Sequence, residues 1–445
     1  MLFDTTAIRN FSYVINRRKE LVKRIKEEHK DAKKGIVIFF ANFEDEQRIF
    51  RQESFFYYYT GIEDPGVAFS IELDGTTTLW VPGCSVSRAD WYLCDIDFLT
   101  KNSKQAGIDH VKTLGTPVKK FTIHPFSPLD RYKEIISYTN AIVNDGGMLF
   151  SLDPDNADQY VEQRSLLSRF LAPNASHALA SRPVDISHIA ANMRRKKDAH
   201  EIELLYKAID ITCMGHEAAA GSMAAGNIEA EVKARIEYIF TASDAYTAFP
   251  SIVGAGKNST VLHYQQSDGE LHDGDLVVVD IGARDNYYCG DLTRTYPVSG
   301  SFTERQKEIY NLVLETQEYI AALAKPGYWL CNADESDKSL HHLAKKYLDE
   351  RGYGKYFIHG LGHYLGIDTH DVGSYKKPLE AGNVFTIEPG IYIPDEKLGV
   401  RIEDNYWMTK KGLVCLSEQL PKKLEDIEQM MQQSFEDDQT EEANA

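Results

Sequence analysis

The strongest constraint in this chain is a pair of apolar segments, LVVVDIGA (276–283) and YYCGDLTRTYPV (287–298), which read as two antiparallel strands joined by a tight turn, each with one aspartate. With the turn at Asp285-Asn286, counting back sets Asp280 opposite Asp291. Directly opposed residues lie about 4.5 to 5.5 Å apart at Cα, and like charges there destabilise the pair unless a cation stands between them. The expected pairing therefore predicts a metal site.

Three further residues of metal-binding type sit in similar settings: His363 in HGLGHYLG, Glu388 at the end of NVFTIEPG and Glu403 within GVRIEDNYW. Four carboxylates and one imidazole carry too much negative charge for one zinc ion with three protein ligands. The set suits two divalent cations roughly 3.5 to 4 Å apart, bridged by carboxylates and a hydroxide. Manganese leads the expectation, with cobalt, iron or zinc as alternatives.

At 445 residues the chain is long for a single core, so two domains are expected. A net charge of −18 repels nucleic acid and anionic membrane surfaces, which excludes both as expected partners. Eight of the acids lie beyond Lys423, where no Lys or Arg follows, so 424–445 reads as an acidic, partly disordered tail. The six cysteines form no CxxC pair or zinc-ribbon spacing, and no apolar run approaches transmembrane length. These features predict a cytoplasmic protein with free thiols.

Residues 1–180 mix strand candidates (GIVIFFAN, VAFSIEL, TTLWVP) with a charged helical stretch, Asn16 to Lys30. This pattern predicts a compact α/β domain. The aromatic run FRQESFFYYYTGIEDPG reads as a buried strand with a turn at Gly61, with Phe55, Phe56 and Tyr58 inside and Arg51 and the outer tyrosines available to a cleft. After the connector SRPVDIS, Asp198 with Glu201 forms a capping-box pattern, and Ile202, Leu205 and Ile209 recur at helical spacing. Gly254-Ala255-Gly256-Lys257 lacks the spacing and the Ser or Thr of a phosphate loop. His359 and His363 have HExxH spacing, but Gly360 replaces the glutamate and Gly362 weakens a helix. GxSxG is absent from the sequence.

In order, FRQESFFYYYTG, SIVGAGKNSTVLHY, VVVDIGA, GDLTRTYPV, HGLGHYLGIDTHDVG, TIEPGIYI and VRIEDN resemble the metal-dependent aminopeptidase P and prolidase group. That group has a pita-bread catalytic fold shared with methionine aminopeptidase. The resemblance implies a mixed α/β (α+β) chain: a creatinase/prolidase-like N-terminal domain over 1–180, a pita-bread metallopeptidase domain over 181–423, then the tail. It makes Asp291 and Glu403 bridging ligands, Asp280 the chelator of one metal, and His363 with Glu388 ligands of the other. Supporting matches are His263 in VLHY, His359, His370 in THDVG, Tyr392 in PGIY and Arg401 in VRIE. Pro250 in AFPSIVG departs from a position commonly asparagine, which implies an altered rim of the amino-terminal pocket. Homo-oligomers, dimers or tetramers, are common in the group.

The implied substrate is a peptide with N-terminal Xaa-Pro, whose tertiary amide has no N–H and is closed to most aminopeptidases. The expected mechanism lowers the pKa of a bridging water to about 7 for attack on the scissile carbonyl. Glu388 would relay the proton, while His263 and His370 would donate to the carbonyl oxygen or hold the substrate backbone, and Arg401 would orient carboxylates. The rivals are a prolidase, confined to Xaa-Pro dipeptides, and a non-catalytic pita-bread protein that binds peptides, histones or RNA. The YYYTG and GAGKNSTVLHY segments favour aminopeptidase P over prolidase, and intact ligands with acidic charge oppose a non-catalytic role.

Overall fold

The computed structural model describes residues 11–45, 47–84, 101–118, 129–154, 161–172 and 177–433. The chain divides into two compact units, Met1–Met193 and Arg194–Ala445. Among the described residues no helix is long and apolar enough to cross a membrane.

In the first unit, β1 (Gly35–Phe40), β2 (Ala68–Glu72), β3 (Thr77–Cys84), β4 (His110–Val118), β5 (Met148–Ser151) and β6 (Val184–Asp185) form one mixed sheet in the order β4-β3-β2-β1-β5-β6. Its centre is antiparallel, and parallel pairs β3–β4, β1–β5 and β5–β6 extend it on both sides. Every residue of β1 is buried, which explains why GIVIFF shows no polar alternation. Ile36, Ile38 and Phe40 share a core with Ile136 of helix Lys133–Asn144 and Phe170 of helix Val161–Leu171.

The aromatic run is a helix, Ser54–Thr60, and not the expected strand. The Glu53 carboxylate accepts from the N–H groups of Phe55 and Phe56, and Gly61 ends the helix at φ 65°. Caps at both ends thus override the β preference of the aromatic residues. The burial expected of Phe55, Phe56 and Tyr58 is present all the same.

The second unit opens with helix Ala199–Ala220, whose capping box joins Glu201 N to Asp198 Oδ1 (2.9 Å) and Asp198 N to Glu201 Oε2 (3.0 Å). Its strands are β7 (Tyr246–Thr247), β8 (Ile252–Ala255), β9 (Leu276–Ile281), β10 (Ala283–Asp285), β11 (Tyr288–Cys289), β12 (Leu292–Pro297), β13 (Val384–Ile387), β14 (Gly390–Ile393), β15 (Leu398–Arg401), β16 (Asp404–Thr409) and β17 (Gly412–Cys415). They form short sheets, β12-β9-β8, β11-β10-β7, β13-β16-β17 and β14-β15. Val277, Val279 and Ile281 join the core with Ile236 and Phe240 of helix Glu229–Ala242, and strand alternation turns Asp280 to the other face.

The expected tail begins differently. Residues 424–433 are helical, and Leu424, Ile427, Met430 and Met431 are buried in the same core, while Glu425 and Asp426 stay exposed. Apolar residues at helical spacing anchor this stretch despite its charge. Residues 434–445 lie outside the described residues.

Behind β12, the fully buried Arg294 donates to Asp404 Oδ1 (2.7 Å) and to the carbonyls of Thr293 (2.9 Å), Glu403 (2.7 Å), Leu420 (3.1 Å) and Pro421 (2.7 Å). Asp404 also accepts from Ser417 Oγ (2.8 Å) and Lys422 Nζ (2.9 Å). Burial opposes the Asp404 charge, but Arg294 and Lys422 outweigh it and hold the carboxyl down at about 2. Removing Arg294 would leave Asp404 to Lys422 and Ser417 alone and strip four carbonyls of a donor, at a cost of up to about 3–5 kcal/mol. The variant Arg294→Met should therefore lower the unfolding free energy of the second unit by up to that amount in a denaturant titration; an unchanged midpoint would show that the pair is dispensable.

Candidate metal centre

The hairpin turn sits at Asn286-Tyr287, whose φ values of 45° and 73° are both left-handed, one residue beyond the expected position. The two-residue turn pairs Asp285 with Tyr288 and Arg284 with Cys289. Moving the turn by one residue moves the register by two. Asp280 therefore faces Thr293, and Asp291 stands just before β12 as its diagonal neighbour on the same face. The expected direct opposition of Asp280 and Asp291 is not what forms, but the convergence of their side chains on one face survives.

The third member of the row comes from the far side of β12, where Thr293 also bridges to Glu403. Glu403 N donates to Thr293 O (3.0 Å), and Thr293 Oγ1 donates to Glu403 Oε2 (2.7 Å). Asp280, Thr293 and Glu403 thus lie side by side across three chain segments. Asn405 holds Asp291 in place through its backbone, accepting from Asp291 N at 3.1 Å and donating to Asp291 O.

The glycine loop 359–363 runs antiparallel to β13, with Thr386 N donating to His363 O and Glu388 N to Leu361 O, both 2.9 Å. A Cβ at Gly362 would stand 2.1 Å from Thr386 O, so only glycine permits this approach. Thr386 Oγ1 accepts from His363 N (3.1 Å) and reaches Glu388 Oε1 (3.3 Å). His363 Nε2 ends 3.3 Å from Asp291 Oδ2 and 3.5 Å from Glu388 Oε1. Asp291, His363 and Glu403 each offer a ligand atom within 4.8 Å of the others.

The supporting residues form a chain behind these groups. Arg401 donates to Asp280 Oδ2 (2.6 Å), to Tyr392 Oη (2.8 Å) and to Thr293 Oγ1 (3.2 Å). His359 Nδ1 lies 2.7 Å from the Gly360 carbonyl, which can only accept, so Nδ1 carries the proton. The other ring nitrogen then accepts from Tyr392 Oη at 3.0 Å. His370 packs its ring 4.1 Å from that of His363. His263 is exposed and joins none of these contacts.

Nine of the ten expected site residues are therefore linked directly, and His263 stands at the margin. Thr293, Thr386 and Asn405 were not expected. Thr293 had a signal, since it lies two positions from Asp291 on the same strand face. Thr386 precedes Glu388 by the same step, whereas Asn405 acts on backbone and leaves no pattern.

Burial pushes all three interior carboxyls up. Asp291 reaches about 6 despite its contact with His363, Glu388 reaches about 7, and Glu403 rises well above the carboxylate range, with repulsion from Asp291, Glu388 and Asp280 added. Burial disfavours the His363 charge, but the contact with Asp291 and the charge of Glu388 outweigh it and push the imidazole up to about 9. His359 falls to about 3 and His370 to about 4, mainly through lost solvation, so both are neutral near pH 7. Asp280 Oδ1 and Glu403 Oε1 are buried with no hydrogen-bond partner. Unpartnered carboxylate oxygens aimed into a cluster of raised carboxyls fit divalent cations, which supply the missing charge and ligation together.

Residues 203–410 match the model of metallopeptidase family M24, and residues 14–115 match that of the aminopeptidase P N-terminal domain. The Xaa-Pro aminopeptidase of Haemophilus influenzae is 31% identical over 419 residues, covering 86% of this chain and 88% of that protein. An Xaa-Pro dipeptidase of Pyrococcus furiosus is 36% identical over 299 residues, covering 66% and 78%. Among solved structures, aminopeptidase P from E. coli with the inhibitor Pro-Leu matches at a TM-score of 0.78 and 26% identity, covering 96% of this chain and 99% of that one. The chain belongs to metallopeptidase family M24, as an aminopeptidase P that carries that group's N-terminal domain ahead of its catalytic domain.

Proposed function

We propose that this chain removes the N-terminal residue from peptides with proline in second position, using two divalent cations, manganese first among the candidates. Asp291 and Glu403 would bridge them, Asp280 would complete one site, and His363 with Glu388 the other. The observation that carries this reading is the pair of unpartnered buried oxygens, Asp280 Oδ1 and Glu403 Oε1, beside a cluster of mutually repelling carboxylates. When bound, the cations supply Lewis acidity that polarises the carbonyl and acidifies water.

The chain's own groups carry the rest. Glu388 Oε1 faces His363 and Thr386, which leaves Oε2 to accept a proton from the attacking water and return it to the departing proline nitrogen. That return matters because the tertiary amide nitrogen of proline leaves poorly unless it is protonated. Neutral His370, together with His263, would donate to the carbonyl oxygen as it gains charge. Arg401 orients Asp280 and, through Tyr392, His359, so His359 acts as a strut. Free Cys213, Cys331 and Cys415 support a cytoplasmic setting. We propose a domain boundary at 180/181, with the helix 424–433 packed into the core of the catalytic domain.

A prolidase would use the same chemistry on dipeptides alone. The inhibitor Pro-Leu of the E. coli relative has the form of a fragment left after cleavage of Xaa-Pro-Leu, a tripeptide. This favours an open cleft beyond the proline here as well.

Metal analysis tests the ligand roles. Asp291→Ala and Glu403→Ala should each deplete both cations, because a bridging carboxylate serves both, whereas Asp280→Ala should retain one more fully. An active Asp291→Ala variant with two cations bound would overturn the assignment.

His263→Ala and His370→Ala should each lower kcat by a factor on the order of 10² to 10³, the range for one oxyanion donor, with metal content near normal. Parallel loss of metal and turnover would make them part of the metal site instead.

Substrate preference follows from the missing N–H of proline. A second-position alanine brings a donor with no partner, at about 1–3 kcal/mol, or roughly 5- to 150-fold in kcat/KM. Ala-Pro-Yaa peptides should be cleaved faster than Ala-Ala-Yaa by at least that factor. Equal rates would refute the proline specificity, and activity confined to Ala-Pro would make the chain a prolidase.

A further inference from the structure

His263 lies on a loop, residues 256–269, and among the described residues no hydrogen bond holds its imidazole. Its position is therefore set by whatever fixes the backbone on either side. On the far side of that loop stands Glu229, a fully buried carboxylate at the start of helix Glu229–Ala242. The centre described above makes no use of it.

Glu229 is surrounded by donors. Its Oε1 accepts from Ala255 N (2.7 Å) and Asn258 Nδ2 (2.9 Å), and its Oε2 accepts from Gly269 N (2.8 Å) and Tyr264 Oη (2.7 Å). These four donors come from the residue before the loop, from within it, from its last residue and from the residue that follows His263. Tyr264 Oη also accepts from Asn258 Nδ2 (3.0 Å) and lies 2.9 Å from Asp268 Oδ1, which closes the network across the loop. Main-chain bonds add to it, since Glu229 N donates to Gly269 O at 2.9 Å. A Cβ at Gly269 would stand 2.7 Å from Asn258 Nδ2 and 2.8 Å from Glu229 Oε1, so a side chain there would push both out of the network.

Among the described residues no Lys, Arg or His pairs with this buried carboxyl, which is held by its four hydrogen bonds. The arrangement tolerates no ordinary substitute. A glutamine would point an NH₂ group at donors, and alanine would leave all four unpaired. The loop is tied on its other flank as well, where Ser259 Oγ accepts from Gly399 N (2.9 Å) on β15, the strand of Arg401.

We propose that Glu229, with Tyr264, is a positioning residue that sets the place of His263 in the catalytic centre. Resting on the role given to His263 above, the inference assigns the clamp a share in transition-state stabilisation and none in metal binding. Proton donors must lie within a fraction of an ångström of the developing charge, and a displacement of about 1 Å can cost about 10²-fold. The effect should fall on kcat more than on KM.

The test is a double-mutant cycle on the manganese-loaded enzyme with an Ala-Pro-Yaa peptide. Glu229→Gln should lower kcat by about 10²-fold and Tyr264→Phe by about tenfold, with both cations retained. Tyr264→Phe removes one hydroxyl only and serves where Glu229→Gln does not fold. In a His263→Ala background Tyr264→Phe should lower kcat by less than about threefold, because its effect passes through the absent imidazole. The same tenfold loss in both backgrounds would overturn the inference while leaving the reading of His263 intact. Unchanged turnover in His263→Ala alone would overturn that reading, and the inference with it.

Discussion

Mutual repulsion among buried carboxylates governs the catalytic unit. Asp280, Asp291, Glu388 and Glu403 converge where solvent is largely excluded, and Arg401 and His363 are the cationic groups in direct contact with them. Burial is the largest cause of the raised carboxyls at Asp291, Glu388 and Glu403, and repulsion from the neighbouring carboxylates adds to it, as at Glu403. Such a cluster persists only if the scaffold prevents the side chains from separating, and if cations complete it in the working enzyme.

The scaffold meets the first condition by using backbone pairing for placement. Thr293 forms a register partner to Asp280 on one side and to Glu403 on the other, so three residues far apart in sequence share a row. The 359–363 loop pairs with β13, which brings His363 to Glu388. In both cases a threonine hydroxyl, of Thr293 or Thr386, touches the ligand side chain directly and limits its rotation. Ladder geometry is stiff over a few residues, so the carboxylates need little help from distant packing.

Much of this was legible in the sequence because metal chemistry demands particular residue types in particular places. The ligand candidates, the capped helix at Asp198 and the central strands could all be read from residue type and period. The hairpin register could not, since Asp285-Asn286 and Asn286-Tyr287 differ by one step and a tyrosine at positive φ has no propensity to announce it. The helix Ser54–Thr60 was hidden for a different reason: its caps outweigh aromatic residues that favour strands elsewhere. The 424–433 helix was masked by charge, although its four buried apolar residues repeat at helical spacing. Asn405 and Glu229 were out of reach because they act on backbone groups brought near only by the fold.

The two sides of the centre are built on different terms. At the back, buried Gln317 donates to the carbonyls of Ile387 (3.1 Å) and Ile402 (3.2 Å), the residues immediately before Glu388 and Glu403, and accepts from Lys422 (3.0 Å). Lys422 in turn reaches Asp404, which Arg294 ties to the carbonyls of Thr293 and Glu403. The segments that carry the proposed ligands are thus cross-linked from behind through their main chain, without contact to the Glu388 and Glu403 carboxylates. At the front, His263 is exposed, and its placement depends on Glu229 and Tyr264 at the base of its loop. A rigid back suits the proposed role of these groups in holding cations at fixed separations, whereas an exposed donor on a clamped loop would leave room for a peptide to enter and still meet the carbonyl at a defined point.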